Sequence, residues 1–336
     1  MRPRGALPAS RPSTFSAPMR AHWLLAAVLC AALVAACGAG GGTPDVPFAP
    51  TTIARHAANA RTTLTIGSKN FTEQRVLGEV YAEGLRAAGY KVRTKLDLGD
   101  QDSALRALRA GRVDGYPEYT GTALVAFFGV RANAIPHDDR TAYQQARRGF
   151  AARGLVALAP TPFTDSNEVA VTAATARRYG LHKISDLAKV DRKLVLYGSP
   201  ECRRRADCLV GLEQVYGLHF KRFVAVDVSE RHNVLQDGRA DISIVFTTDP
   251  QIRRGHEVLL RDDRGMFPPY NSTLVLRRSV VDRAGPDLER TIRLVNSQLT
   301  APNMQELNAR VDLDRRSARA VAREFLRQTG LIGGGS

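Results

Sequence analysis

Apolar and polar positions alternate along this chain with two different periods, and the alternation predicts a series of strands and helices. Short runs of β-prone residues, which are typical of strands, lie at 64–66, 113–116, 194–197, 223–226 and 242–246, and residues 91–98 alternate apolar and polar side chains in the same sense. Apolar side chains recur every three or four positions, as on one face of a helix, at 72–88, 104–108 and 318–326.

Strands separated by helices indicate an α/β fold with mixed, mostly parallel sheets and flanking helices. A folded body of about 270 residues is large for a single sheet, so we expect two lobes. Ligands of open α/β sheets bind beyond the carboxyl ends of the strands. Residues that directly follow a strand are therefore the first candidates for a binding site.

The first 36 residues have the pattern of an export signal. Four arginines precede an apolar run at 23–33, which is too short to cross a membrane as a helix. The run leads into LVAAC at 33–37, which resembles a bacterial lipobox, and this resemblance implies that Cys37 is lipidated and becomes the new N terminus. An ordinary secretory signal cleaved nearby is the alternative, and Met19 is an alternative start.

Residues 37–61 predict a flexible tether, because GAGGGTP at 38–44 is rich in glycine and poor in apolar side chains. The folded body would then begin near residue 62. Together with a lipidated cysteine, the tether predicts an extracytoplasmic protein that is anchored to the bacterial cell membrane and stands off from it.

The formal net charge of +15 at pH 7 first suggests a nucleic-acid-binding protein. Two observations argue against that. Only seven of the 48 basic residues are lysines. Such a uniform preference for arginine is more typical of a bias in the composition of the whole genome than of a surface selected to bind nucleic acid. Basic and acidic residues also alternate, as at 227–231 and 261–264, and such mixed surfaces are usually solvated. We expect no nucleic-acid partner; the basic surface would suit anionic lipid headgroups.

Apart from Cys30 in the export segment and Cys37 at the predicted lipidation site, two cysteines remain, Cys202 and Cys208. In an oxidising compartment, a close lone pair most simply forms a disulfide around a small loop. Two free buried thiols are the alternative. A metal site is not expected, because no histidine or further cysteine lies near the pair at ligand spacing.

Two segments that connect a strand to a helix carry candidate ligand-binding residues. GSKNFTEQ at 67–74 places backbone N–H groups, a hydroxyl and a lysine at a helix N terminus, which attracts anions. Simple capping by Asn70 or Thr72 is the alternative, and it is compatible with anion binding. GYPEYTGT at 115–122 offers tyrosine rings, whose faces attract cations, although a core tyrosine is the ordinary alternative.

Two later segments are candidates for the same reason. PECRRRADC at 200–208 contains arginines that could clamp a carboxylate in a two-pronged contact, and a solvated charge run is the alternative. FTTD at 246–249 leaves a predicted strand with a phenylalanine, and a buried core phenylalanine is the alternative.

No motif for covalent chemistry is present in the sequence. It contains no G-x-S-x-G elbow, no G-x-G-x-x-G loop and no phosphate-binding loop, and its histidines are scattered. Zinc would need clustered histidines, cysteines or acids, and the sequence has none. We therefore expect a protein that is not an enzyme and that uses neither a metal nor a cofactor.

Six stretches in the same order identify a family resemblance. IGSKNFTEQ at 66–74 and DGYPEYTGT at 114–122 resemble the substrate-binding proteins of glycine betaine/choline/carnitine ABC importers. The resemblance covers about residues 62–332. It continues in AVT at 170–172 with ISDL at 184–187, in the stretch 200–211, in TTD at 247–249 and in VAREFL at 321–326.

The resemblance implies a two-lobed clamshell of the periplasmic-binding-protein type II class, whose chain crosses between the lobes twice. Lobe I would contain residues 62–163 and 250–332, and lobe II residues 164–249. A ligand held between the lobes would favour the closed form, which then docks on an ABC permease with its ATPase.

The resemblance also implies how the ligand is held. A trimethylammonium group donates no hydrogen bonds, so ring faces select it. Tyr119 matches a cage ring, and Phe246 stands where the family usually has tyrosine. Lys69 and Arg205 would hold a carboxylate. The remaining members of the implied ligand-binding set are Ser68, Asn70, Thr120, Asn167 and Thr247.

The chain departs from the family pattern in several places. Asn167 stands where many members have a cage tyrosine, and His232 where a tyrosine is common. The usual Gly-Gly-Thr is replaced by GDQ at 99–101. Fewer rings imply weaker binding of quaternary ammonium groups or a different osmolyte. Cys202 and Cys208 replace residues that are often Phe and Gly, which supports a local disulfide bracing the arginine loop.

The sequence thus predicts a lipid-anchored receptor that captures glycine betaine or a related quaternary-ammonium osmolyte for an ABC permease and performs no chemistry. One alternative is the same fold binding an amino acid or a polyamine. Two others are an exported two-lobed enzyme and a basic surface-attachment protein without a small ligand.

Overall fold

The computed structural model describes residues 52–254 and 257–333. The predicted export signal, Cys37 and the first part of the predicted tether lie outside the described residues. In the part of the chain that is described, no helix is both long enough and apolar enough to span a membrane.

The described chain alternates strands and helices. The strands are β1 Thr63–Gly67, β2 Lys91–Lys95, β3 Gly115–Tyr119, β4 Leu155–Ala157, β5 Asn167–Thr172, β6 Val195–Gly198, β7 Arg222–Ala225, β8 Ile242–Phe246, β9 Glu257–Leu260 and β10 Ser272–Arg277. The helices are α1 Thr72–Ala87, α2 Gln101–Arg109, α3 Thr120–Thr122, α4 Asp139–Ala151, α5 Ala173–Tyr179, α6 Leu209–Tyr216, α7 Asn233–Gln236, α8 Arg278–Ala284, α9 Pro286–Gln298, α10 Ala301–Asp312 and α11 Ala318–Gln328.

The strands form two five-stranded sheets of the same design, and the predicted α/β class is confirmed. The first sheet has the order β2-β1-β3-β10-β4 and the second has the order β7-β6-β8-β5-β9. In each sheet the first three strands are parallel and the last two are antiparallel to their neighbours, so both kinds of pairing contribute equally.

The apolar stripe of α1 forms the centre of the core beside the first sheet. Its Val76, Leu77, Val80, Tyr81 and Leu85 are fully buried, and they belong to one core cluster with the apolar face of α11. Each such side chain contributes roughly 1.5–3 kcal/mol on burial. A separate core cluster lies under the second sheet, and the cysteine pair belongs to it.

Two local boundaries differ from the sequence prediction because they depend on distant partners. β3 extends to Tyr119, since residues 115–119 pair with β10 over their whole length. β2, predicted to run to residue 98, ends at Lys95, because Asp97 and Gly99 turn the chain with positive φ angles of 57° and 97°. Phe71 precedes α1 without a side-chain capping bond, so capping by Asn70 or Thr72, the alternative interpretation of this loop, is not observed.

The chain passes from the first sheet to the second between β4 and β5 and returns between β9 and β10. The lobe boundary predicted at residue 249 therefore needs correction, because β9 pairs with β5 in the second sheet. The segment that follows β8 does reach the first lobe, where the Thr248 carbonyl accepts a hydrogen bond from Asn308 on α10. Residues up to about 260 belong to the second sheet all the same.

Candidate functional site

One cleft lies between the two sheets, at the carboxyl ends of their parallel strands. The first sheet contributes the loop after β1, the start of α2 and the end of β3, and the second contributes the segments that follow β6 and β7 and the end of β8. This is where ligands of α/β sheets bind. Six of the predicted ligand-binding residues line it, namely Lys69, Asn70, Tyr119, Asn167, Arg205 and Phe246.

Three predicted residues lie behind the cleft wall. The Ser68 hydroxyl donates to the Lys69 carbonyl, and the Thr120 hydroxyl donates to the Pro269 carbonyl. The Thr247 hydroxyl accepts from the Ser166 backbone N–H. These three side chains fix the loops around the cleft and do not line it.

Three aromatic rings from both lobes form a cluster in the cleft, and Phe71 joins the other two. Its ring centroid lies 6.3 Å from that of Tyr119, with nearly parallel planes, and 5.5 Å from that of Phe246. Phe71 was not among the predicted ligand-binding residues, although it lies inside the 66–74 string. An apolar side chain between a polar loop and a helix was the available signal.

Two side-chain cations of the protein already lie on these rings. The Lys69 ammonium is 4.6 Å from the Tyr119 centroid and 5.8 Å from the Phe71 centroid. The Arg231 guanidinium is 4.6 Å from the Phe246 centroid. Rings placed in this way are suited to cations.

A buried ion pair holds Lys69 in place. Its ammonium lies 2.5 Å from Glu118 Oε1, and Glu118 is completely buried. Glu118 also accepts hydrogen bonds from the Tyr116 hydroxyl at 2.9 Å and from the Tyr119 backbone N–H at 2.8 Å. Burial lowers the pKa of Lys69, and the neighbouring Glu118 counteracts this in part. The pair thus fixes both the lysine and the backbone of the adjacent ring.

Arg205 is held by a second pair, which also explains the position of Asn167. Arg205 donates from Nε at 2.7 Å and from Nη2 at 2.5 Å to the buried Asp207, which also accepts from the Tyr270 hydroxyl at 2.5 Å. Asn167 Nδ2 donates to Tyr270 Oη at 3.1 Å and to the Asp207 carbonyl at 3.2 Å. Asn167 therefore supports the arginine loop where the family pattern has a ring.

The structure contains the predicted disulfide between Cys202 and Cys208, with 5.2 Å between their Cα atoms. It closes the loop that carries Arg205 and Asp207, and both cysteines line the cleft. Burial alone would lower the pKa of Arg205, but Asp207 raises it above the ordinary value. The arginine is therefore a permanent cation on a braced loop.

A third network lies where β8 leaves the second sheet. Arg231 Nε donates to Asp249 Oδ2 at 2.7 Å, and Arg231 Nη2 donates to Oδ1. His232 lies between Asp249 at 2.8 Å and Glu257 at 2.9 Å. Although burial favours the neutral carboxyl, Arg231 and His232 hold the pKa of Asp249 below its ordinary value. His232 itself does not line the cleft.

Two buried carboxyl groups share a hydroxyl beside the cleft. Thr248 Oγ1 lies 2.5 Å from Glu73 Oε2 and 2.6 Å from Asp165 Oδ1. Glu73 also accepts from the Tyr119 hydroxyl at 2.8 Å and from Asn308 at 2.9 Å. Asp165 lines the cleft. The sequence offered no signal for this arrangement, because its members are far apart along the chain.

The described residues offer no group of three or more His, Cys, Asp or Glu side chains arranged to hold a metal ion. The cleft instead combines ring faces with paired charges. Such a site can hold a small charged molecule by cation–π and ionic contacts.

Comparison with known proteins relates this chain to a family. Residues 62–328 match the family described as "Substrate binding domain of ABC-type glycine betaine transport system". The chain is 32% identical over 284 residues to the glycine-betaine-binding protein of Pseudomonas aeruginosa, covering 81% of this chain and 90% of that protein.

Two further proteins are similar. The ergothioneine transport permease/ergothioneine binding protein EgtU of Helicobacter pylori is 27% identical over 271 residues, covering 80% of this chain and 48% of that protein. The crystal structure of a glycine betaine/carnitine/choline ABC transporter superimposes with a TM-score of 0.63 at 24% identity, covering 80% of this chain and 99% of that one. The latter shows the same fold.

We predict that Glu118→Gln destabilises the protein by roughly 3–5 kcal/mol, because it leaves the buried Lys69 ammonium without its partner. Urea denaturation measures the free energy of unfolding of each variant. The matched control is Glu306→Gln, which removes an exposed partner of Arg310 at 3.0 Å and should cost no more than about 1 kcal/mol. Equal losses in the two variants would show that the buried pair contributes no more than a surface pair.

A second prediction concerns pH. Burial lowers the pKa of His232, but Asp249 and Glu257 raise it more, so the folded value lies above the ordinary one. The stability that protonated His232 contributes is therefore complete below about pH 6.5, the ordinary histidine pKa, and is lost as the pH rises through the raised value.

The free-energy difference between wild type and His232→Asn should accordingly shrink as the pH rises. Free energies of unfolding measured from below pH 6.5 upward through the raised pKa of His232 test this prediction, and His182→Asn is the control for the loss of an exposed histidine. A difference that stays constant, or that grows with pH, would contradict the assigned charge.

Proposed function

We infer the function from one premise: this chain belongs to the family of substrate-binding domains of ABC-type glycine betaine transport systems. It is therefore a solute-binding component of an ABC importer and belongs to a family of binding proteins. We propose that its ligand is glycine betaine or a related quaternary-ammonium osmolyte, held between the two sheets and delivered to a permease with its ATPase.

The observation that carries this proposal is the convergence of ring faces and cations on one cleft. Lys69 and Tyr119 from the first lobe, and Arg205 and Phe246 from the second, all line it. A trimethylammonium group is weakly hydrated and donates no hydrogen bonds, so the faces of Phe71, Tyr119 and Phe246 suit it. Lobes that both contact the ligand would favour the closed form.

The carboxylate end of a betaine would lie near Arg205. Asp207 engages Nε and Nη2 of this arginine, and the arginine lines the cleft. A planar guanidinium has five N–H donors, so it can bind a second carboxylate while it keeps the first. Lys69 would add a positive charge from the opposite lobe.

The attachment and the reaction type are also proposals. We propose that lipid on Cys37 anchors the chain at the extracytoplasmic face of the cell membrane, with residues 37–61 as the tether. The lipobox-like LVAAC string supports this. We further propose that the protein binds its ligand without chemical change, and that its lobes divide as predicted apart from the correction at β9.

Calorimetric titration of the wild-type protein tests the ligand class. We expect saturable binding of one or more of glycine betaine, choline, carnitine and proline betaine, with ergothioneine included because a relative is named for it. Glycine is the matched control, since it has the same carboxylate without the methyl groups. If glycine or a polyamine binds and none of these five compounds does, the proposed ligand class is wrong.

Arg205→Ala should weaken carboxylated ligands by roughly 1.5–3 kcal/mol, the contribution of a charged hydrogen bond, and should affect choline far less. The comparison of ligands within one variant cancels effects on the fold. Arg204→Ala is the control, because Arg204 is an exposed neighbour in the same loop. Equal losses for choline and glycine betaine would remove Arg205 from the proposed role.

A further inference from the structure

The hydroxyl of Thr248 lies between two carboxyl groups that cannot both be ionised acceptors. Its contacts of 2.5 Å to Glu73 and 2.6 Å to Asp165 are both short hydrogen bonds. A hydroxyl has one proton and can donate to one oxygen at a time. The second contact needs a proton from a carboxyl group, so this trio holds one proton more than two carboxylates and a hydroxyl would.

The hydrogen-bond partners indicate which carboxyl group carries that proton. Burial raises the pKa of Glu73 as well, but Glu73 accepts from Tyr119, Asn308 and Thr248, and these three hydrogen bonds favour its ionised form. Asp165 has the Thr248 hydroxyl and a long contact of 3.4 Å from the Thr248 backbone N–H. Asp165 is therefore the donor to Thr248, and Thr248 donates to Glu73.

Asp165 also differs from the other charged groups of the cleft. Lys69, Arg205 and Arg231 each have their own carboxylate partner in Glu118, Asp207 and Asp249. Asp165 makes no ion pair within the described residues, although it is 5% exposed and lines the cleft. It is a carboxyl group beside ring faces that suit a cation.

The surroundings of Asp165 agree with a neutral carboxyl group. Asp165 interacts electrostatically with the titratable groups Glu73, Asp249, Arg231, Lys69 and Tyr119, and Thr248 is its hydrogen-bonded neighbour. Burial raises the pKa of Asp165 well above its ordinary value, and Glu73 and Asp249 add to the rise. The hydrogen bond with Thr248 and the charge of Arg231 act in the opposite direction without cancelling the rise, and Arg231 is engaged with Asp249.

We propose that Asp165 carries a proton in the ligand-free cleft and releases it when a quaternary-ammonium group binds against the neighbouring rings. The O–H bond of the carboxyl group breaks, the proton passes to the solvent, and the carboxylate faces the new cation. This rests on the proposed function for its ligand. Because the bound form holds fewer protons, affinity rises with pH until the free protein has lost the same proton.

Calorimetry in buffers of different ionisation enthalpy measures the protons released per ligand. With choline and glycine betaine, we expect release approaching one proton, and an affinity that rises by up to about tenfold per pH unit within the range from about pH 5 to about pH 9, where buried carboxyl groups titrate. Asp165→Asn keeps a donor to Thr248 but cannot ionise. It should bind with lower, pH-independent affinity and without proton release.

Glu168→Gln is the matched control. Burial, with a smaller contribution from Asp262, raises the pKa of Glu168 to about 7, and Glu168 does not line the cleft. This variant should keep the proton release of the wild type. Release that persists in Asp165→Asn, or that disappears in Glu168→Gln, would overturn the assignment of the proton to Asp165.

A carboxyl ¹³C titration of the ligand-free protein separates this inference from the proposed function. The Asp165 resonance, assigned by its absence in Asp165→Asn, should titrate well above the ordinary aspartate value of about 3.9. An ordinary midpoint overturns the inference whether or not a ligand binds. Binding without proton release overturns it and leaves the proposed function intact, whereas no binding of any quaternary ammonium compound overturns the proposed function and the release step together.

Discussion

A charge that is removed from water needs a partner of opposite sign, and this constraint shapes the whole cleft. Lys69, Arg205 and Arg231 are each largely buried, and each is paired with a carboxylate of its own. Burying each of these ions costs several kcal/mol of desolvation free energy, and without its partner this cost would not be offset. The pairs therefore fix the loops after β1, β6 and β7, and with them the shape of the space in which a ligand would lie.

The pairs also organise the aromatic surface. Glu118 connects Lys69 to the backbone of Tyr119, and Asp249 places Arg231 on the ring of Phe246. Phe71 lies between the two rings and comes from the same loop as Lys69. Ionic contacts within each lobe therefore help to position Tyr119 and Phe246, which face each other across the cleft on either side of Phe71.

The sequence predicted those parts of the fold that depend on local patterns. Strand and helix periodicity located α1 and the buried strand β8, and the strings after strands identified Lys69, Tyr119, Arg205 and Phe246, which line one cleft. It did not predict that β9 joins the second sheet, because strand pairing depends on register between distant segments. Asp165 and Arg231 were missed for a related reason, since their environments are created by residues from other elements.

The two connections between the lobes run side by side. Thr164 and Asn271 form an antiparallel bridge, and Tyr270 donates its backbone N–H to the Thr164 hydroxyl at 3.1 Å. Two connections joined in this way behave as a narrow ribbon. We expect such a ribbon to bend out of its plane more easily than it slides along its length, so that movement between the lobes would follow one axis and keep the opposing residues in register.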